Sequence, residues 1–147
     1  MLTIDASVWV NADSPEEQNS ASSREFIDRV KANRIPVVVP MLLKVEVAAT
    51  IGRATKDAVL AREFAERLTA LKLMRWVVLD DVNADVAVKL AGEHGLRGSD
   101  AVYAAVALSH QCVLISLDRE HLSRMKGVLP VYTPAQAMGM AEIWARK

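Results

Sequence analysis

Ile35-Pro36-Val37-Val38-Val39-Pro40 runs directly into Met41-Leu42-Leu43-Lys44-Val45-Glu46-Val47-Ala48-Ala49-Thr50, and this junction decides the class of fold. A β-branched run punctuated by prolines reads as a strand, because stiff branched side chains pack well on a pleated surface. Pro40 ends the run, and Met41 to about Arg53 reads as a helix. A continuous apolar strand followed at once by a helix points to a parallel sheet covered on both faces.

The same alternation extends in both directions. Leu2-Thr3-Ile4 is a short buried strand ending at Asp5. Ser14-Pro15 pairs a capping residue with proline at the first helical position, which predicts a helix start there. Glu16 and Glu17 then fall in its first turn, and Phe26, Ile27 and Val30 form its inward stripe. A further helix is expected over 56–73, with Leu60, Phe64, Leu68 and Leu71 on one face. Trp76 to Leu79 reads as the third strand, followed by a helix from about Asn83 to Glu93 with Gly95 just beyond its end. Ser99 opens an alanine-rich helix running to about His110, Val113 to Leu117 is a strand, and Arg119 to Lys126 a short helix. Val128 to Tyr132 is the last strand, and Thr133-Pro134 opens a final helix. Five strands alternating with helices, without an internal repeat or linker, predict one α/β domain over 1–147 built on a five-stranded parallel sheet.

Composition narrows the function. The 147 residues carry 18 Lys plus Arg against 18 Asp plus Glu, a formal charge of zero. That balance excludes a strongly basic coat for nucleic acid, but not an enzyme that meets phosphate through bound metal. Hydrophobic residues make up 52% and aromatics only 5%, so the core is aliphatic and the chain neither disordered nor fibrous. The single Cys112 excludes an internal disulfide, and without a CxxC pair a zinc ribbon or thiol redox motif is excluded too. No signal peptide is evident at Met1-Leu2-Thr3-Ile4-Asp5, and Pro40, Lys44 and Glu46 interrupt the longest apolar region. A cytoplasmic protein without a membrane segment is expected.

In open parallel sheets, sites form beyond the carboxyl ends of the strands. Asp5 and Asp118 each follow a strand directly, and Asp100 lies in the first turn of the Ser99 helix. Each Asp has an ordinary explanation as a cap or dipole partner. Glu46 does not, since its neighbours three and four positions away are Leu42, Leu43, Ala49 and Thr50. A carboxylate turned toward a core needs a partner, a proton or a metal. Carboxylates gathered at one sheet edge repel one another, and a divalent cation relieves that; all-oxygen ligands suit Mg²⁺ or Mn²⁺. Ser7 and Ser116 flank the same strand ends and are placed to orient a carboxylate or a bound water. Arg97 and Arg119 each stand close to a candidate acid, where a guanidinium steadies a phosphate or makes an ordinary surface pair. His94, His110 and His121 show no metal-binding spacing and read as surface or structural residues.

Taken together, four segments resemble the PIN-domain ribonucleases, especially VapC-type toxins of toxin–antitoxin pairs. They are Ile4-Asp5-Ala6-Ser7-Val8-Trp9, Glu46 on the third helix, Ser99-Asp100-Ala101-Val102-Tyr103-Ala104-Ala105-Val106-Ala107, and Leu114-Ile115-Ser116-Leu117-Asp118. The resemblance implies a PIN-like three-layer sandwich and an Mg²⁺ or Mn²⁺ site of Asp5, Glu46, Asp100 and Asp118. It also implies an RNA substrate, a homodimer and a small antitoxin. Ser116 stands where threonine is commoner, and Leu117 where a polar residue often precedes the final acid, which leaves Glu120 as a substitute for or addition to Asp118. Water is then the expected nucleophile, leaving 5′-phosphate and 3′-hydroxyl ends.

Two rival readings remain at this level. A binding or regulatory module on the same fold would keep the acidic pocket with little turnover, and sparse aromatics for base stacking suit it. A phospho-acceptor receiver domain is suggested by Asp80-Asp81 after a strand, although that pair follows the third strand and not the first. Nucleotide-binding Rossmann domains are unsupported, since GxGxxG and GxxxxGK[ST] are both missing. Phe26, Phe64 and the terminal Met138, Met140, Ile143 and Trp144 carry apolar surface that is either core or a contact for partners.

Overall fold

Leu2, Ile4, Val37, Val39, Leu114 and Ile115 are almost fully removed from solvent, and they mark the three strands at the centre of the molecule. The computed structural model describes residues 1–145. Its sheet contains β1 (Leu2–Ile4), β2 (Val37–Pro40), β3 (Met74–Val77), β4 (Val113–Ile115) and β5 (Val131–Tyr132). All pairings are parallel and the order is β3-β2-β1-β4-β5, with Leu2 opposite both Val37 and Val113. Thr3, the polar residue inside β1, is fully buried and donates from Oγ1 to the Val38 carbonyl at 2.9 Å. The α/β expectation holds.

The order fixes the layers. The helices between β1 and β2 are α1 (Ala6–Ala12) and α2 (Ser20–Ala32), and those between β2 and β3 are α3 (Leu42–Thr55) and α4 (Ala58–Thr69). Those two connections move one way along the sheet. The next, through α5 (Asp81–His94) and α6 (Gly98–Ser109), crosses back to β4, and α7 (Arg119–Arg124) continues to β5. Right-handed crossovers running in opposite directions place their helices on opposite faces, which gives the three-layer sandwich. α6 lies across β1, β2 and β4, while α1 packs on α2 and α3. The strand order reverses between β1 and β4, so the switch point where such folds form crevices falls at the ends of those two strands.

Several boundaries differ from the sequence reading. No helix begins at Ser14: residues 13–19 form turns, α1 precedes them and α2 follows. Ser14 spends its hydroxyl on the Val10 carbonyl at the end of α1, at 2.9 Å, so it closes one helix and does not open another. Asn11, 5% exposed, holds the turn: its amide donates to the Gln18 carbonyl at 2.9 Å and to Glu17 at 3.2 Å, and its oxygen accepts from Ser23 at 2.7 Å. Asn11→Ala is expected to cost about 2 kcal/mol, because it strips buried partners of their bonds; chemical denaturation checks this.

β3 sits two residues earlier than expected, and Val78 and Leu79 are exposed beyond it. β4 and β5 are shorter than predicted, ending and starting where paired backbone runs out. On α4, Leu60 faces outward at 37% exposure, and Ala61, Phe64 and Leu68 form the inward stripe. Gly95, at φ 64°, ends α5 in the left-handed conformation, and Arg124 donates to its carbonyl at 2.9 Å.

Thr133 and Gln136 form a reciprocal capping box at the start of α8 (Pro134–Met138), and the predicted final helix breaks there, resuming as α9 (Ala141–Trp144). Phe26, Phe64 and Ile143 are buried, and Trp144 packs edge-to-face on Phe26 at 5.7 Å beneath the Arg29 guanidinium. That terminal surface is therefore largely core. Among the described residues no helix is long and apolar enough to cross a membrane.

Candidate metal centre

A cleft of about 460 Å³ opens at the switch point, and Asp5, Glu46, Asp100 and Asp118 all line it, with Ser7, Ser99, Arg97, Asn11 and Glu17. Four separate elements deliver the four acids. Asp5 is the residue after β1, at the N-cap of α1, but its carboxylate makes no capping bond. It is instead held by two hydroxyls: Ser7 donates to Oδ2 at 2.6 Å and Ser116 at 3.0 Å. Ser7 also accepts from the Leu117 N–H at 3.2 Å, so the serine that fixes Asp5 is itself tied to the end of β4.

Glu46, on α3, is half-buried. Burial raises its pKa first, and the charges of Asp5 and Asp100 add to this, while the nearby hydroxyls of Tyr103 and Ser99 work against it without closing a hydrogen bond to it. Its Oε2 is buried and without a hydrogen-bond partner, as is the Tyr103 hydroxyl. Burial, then the negative charge of Glu46 and Asp5, pushes the Tyr103 phenol well up, so it keeps its proton.

Asp100 and Asp118 meet through Arg97. The guanidinium Nε donates to Asp100 Oδ2 at 2.8 Å and Nη2 to Asp118 Oδ2 at 2.6 Å. Glu120 stands within 3.6 Å of the same Nε. Asp118 also accepts from the Glu120 N–H at 2.7 Å, capping α7, so it fills both the ordinary role of an Asp before a helix and a place in the cleft. Burial works to raise the Asp118 pKa, but the Glu120 N–H, Arg97 and His121 outweigh it and hold the group below its usual value. Glu120 does not line the cleft itself. Arg119 is exposed, away from the cleft lining, and pairs with no described acid.

Sequence reasoning missed one member of this cluster, His121, which is fully buried beneath the acids. Its Nε2 lies 2.9 Å from the Asp100 carbonyl, and its Nδ1 lies 3.1 Å from Ser116 Oγ. Its two nitrogens also stand 3.9 Å from carboxylate oxygens of Asp5 and Asp100. The usable signal was spacing: His121 and Met125, four apart on one helix face, are both fully buried. Asp80, by contrast, caps α5 through the Asn83 N–H and stands clear of the cleft, so the receiver reading loses its acid pair.

As the side chains lie, no three His, Cys, Asp or Glu groups among the described residues converge tightly enough to share one ion. The reason is visible in the contacts: Arg97 fills the space between Asp100 and Asp118, and two serines turn Asp5. The donor chemistry nevertheless fits a hard cation. Five carboxylates, the four predicted acids and Glu17, line one cleft with a single guanidinium, and the buried Glu46 Oε2 has no donor, a state costly enough to need a partner. Oxygen-only ligands of this kind suit Mg²⁺ or Mn²⁺.

With that geometry in view, residues 2–128 match the family model described as PIN domain. The chain belongs to the PIN domain family. Over 85 residues, 58% of this chain, it is 41% identical to Exonuclease VapC9 of Pyrobaculum aerophilum, and the matched stretch spans 59% of that protein. A toxin–antitoxin complex from Klebsiella pneumoniae superimposes with a TM-score of 0.67 at 17% identity, over 91% of this chain and 98% of that one. FitAcB from Neisseria gonorrhoeae gives 0.66 at 19% identity, over 91% and 98%. At those identities the two structures bear on the fold, and both share the three-layer arrangement of this PIN domain.

Proposed function

We propose that this PIN domain is a metal-dependent endoribonuclease, the toxin of a pair with a small antitoxin, acting as a homodimer in the cytoplasm. The observation that carries the reading is the meeting of Asp5, Glu46, Asp100 and Asp118, from four elements, in one cleft at the switch point of the sheet. Its relative named VapC9 is called an exonuclease, and the Klebsiella pneumoniae structure is a toxin–antitoxin complex; both names support nuclease chemistry and a partner for this chain.

In this reading the four acids hold Mg²⁺ or Mn²⁺, which supplies an activated water and neutralises charge on the phosphate. Asp5 is held in place by Ser7 and Ser116, so its free oxygen faces the cleft at little further entropic cost. Glu46 brings a carboxylate with an unpartnered oxygen, and a cation that offsets the charge of Asp5 and Asp100 would relieve the repulsion that raises its pKa. Tyr103, kept neutral, offers a proton donor beside it.

The test is an RNase assay on the whole chain with Mn²⁺, with chelator, and with Mn²⁺ restored. Cleavage is expected only with the metal, and products are expected to carry 5′-phosphate and 3′-hydroxyl ends. Cleavage that survives chelation and leaves 2′,3′-cyclic phosphates would overturn the proposal. One observation favours a second reading, a binding module with little turnover: Arg97 closes on Asp100 and Asp118 as an ion pair. Mn²⁺ binding without cleavage of any RNA supports that module instead.

A further inference from the structure

Arg97 is an odd residue for its position. It is the N-cap of α6 and makes no side-chain cap there, and a cation at a helix N-terminus opposes the helix dipole. Its side chain is 62% exposed, so packing does not hold it in place. What holds it is charge: Asp100 Oδ2 at 2.8 Å, Asp118 Oδ2 at 2.6 Å and Glu120 Oε2 at 3.6 Å, from three carboxylates that are far less exposed than the arginine itself. The planar guanidinium spans two acids at once, a bridge that a point charge such as lysine does not make.

Those bonds use oxygens that a divalent ion held by Asp100 and Asp118 would need. Two cations cannot take the same lone pairs, so each weakens the binding of the other by an equal factor. We infer that Arg97 is the resident cation of this cleft, a positioning residue that keeps Asp100 and Asp118 together in the metal-free protein and yields to the divalent ion when it binds. The inference rests on the metal-centre reading given above. It explains why the acids share a cleft without converging on one point: a guanidinium is wider than a metal ion and holds its carboxylates further apart. It also makes Arg97 the element that sets the metal concentration at which the site loads.

The experiment is a Mn²⁺ titration of the full chain, read by electron paramagnetic resonance or calorimetry in the absence of RNA. Arg97→Ala is expected to bind Mn²⁺ about 10-fold more tightly than wild type, within the usual span of coupled equilibria. Arg97→Lys is expected to fall between them, and Lys126→Ala, an exposed charge outside the cleft, to match wild type. Mn²⁺ is also expected to raise the melting temperature of Arg97→Ala more than that of wild type. Equal or weaker Mn²⁺ binding by Arg97→Ala overturns the inference and leaves the metal centre standing. An equal gain in Lys126→Ala overturns it as well, since net charge alone would then account for the effect. If neither wild type nor Arg97→Ala binds Mn²⁺, the inference and the metal centre fall together.

Discussion

Asp5→Asn is expected to lower Mn²⁺-supported RNA cleavage at least about 100-fold while leaving the fold intact, since removing even an outer partner of a metal ligand costs 10–100-fold. The asymmetry follows from how Asp5 is held. Its Oδ2 accepts from Ser7 and Ser116, and asparagine keeps one oxygen able to accept both. The second position becomes an NH₂ group, which has no lone pair for a hard cation. Loss of the charge relieves repulsion, because Asp5 is one of the groups that raise the Glu46 pKa. The metal-free variant is therefore expected to melt at or slightly above wild type, whereas Mn²⁺ stabilises only wild type. A paired RNase assay and thermal melt check this. Undiminished cleavage by Asp5→Asn would remove the best-anchored acid from the site, and the proposed function with it.

What the sequence made legible follows from range and burial. β1, β2 and β4 are short apolar runs buried on both faces, so composition alone distinguishes them, and the acids that follow two of them are placed by the parallel-sheet rule. Glu46 stood out because its helical neighbours were uncharged, a local fact. α1 was hidden because it is only seven residues long, too short for a clear periodic stripe, while Ser14-Pro15 carries the usual helix-start signal and lies in the turn that follows it. β3 slipped because it is an edge strand, half-exposed and weakly patterned.

The bridge made by Arg97 was illegible for another reason. Arg97 and Asp118 are 21 residues apart, and only the packing of α6 against α7 brings them to 2.6 Å. Sequence spacing offered Asp100 as the partner three residues on, which the structure keeps, but it gave no sign that one guanidinium serves both acids. The same holds for Ser7, whose contact with the Leu117 N–H joins the two sides of the switch point across 110 residues.

His121→Leu is expected to be the most destabilising change at the site, by about 3 kcal/mol, or roughly 6–12 °C in melting temperature for a chain of this size. A carbonyl only accepts, so Nε2 carries a proton and donates to the Asp100 carbonyl at 2.9 Å, which pins α7 to the first turn of α6. On its other side the ring meets Ser116 Oγ, the hydroxyl that donates to Asp5 and accepts from the Asp118 N–H at 2.9 Å. One fully buried imidazole thus fixes the backbone of one acid and, through a single serine, the positions of two others. Leucine fills the volume but leaves the Asp100 carbonyl and Ser116 without this partner in a dry environment, where each unmet group costs about 1–3 kcal/mol. His121→Gln separates the two contacts, because its amide reaches toward the Asp100 carbonyl and not toward Ser116. It is expected to recover about half of the stability, while Mn²⁺ affinity stays about 10-fold or more below wild type, as loss of an orienting partner predicts. If His121→Leu melted within about 2 °C of wild type, the buried ring would be packing alone, and the alignment of Asp5, Asp100 and Asp118 would have to come from the helices themselves.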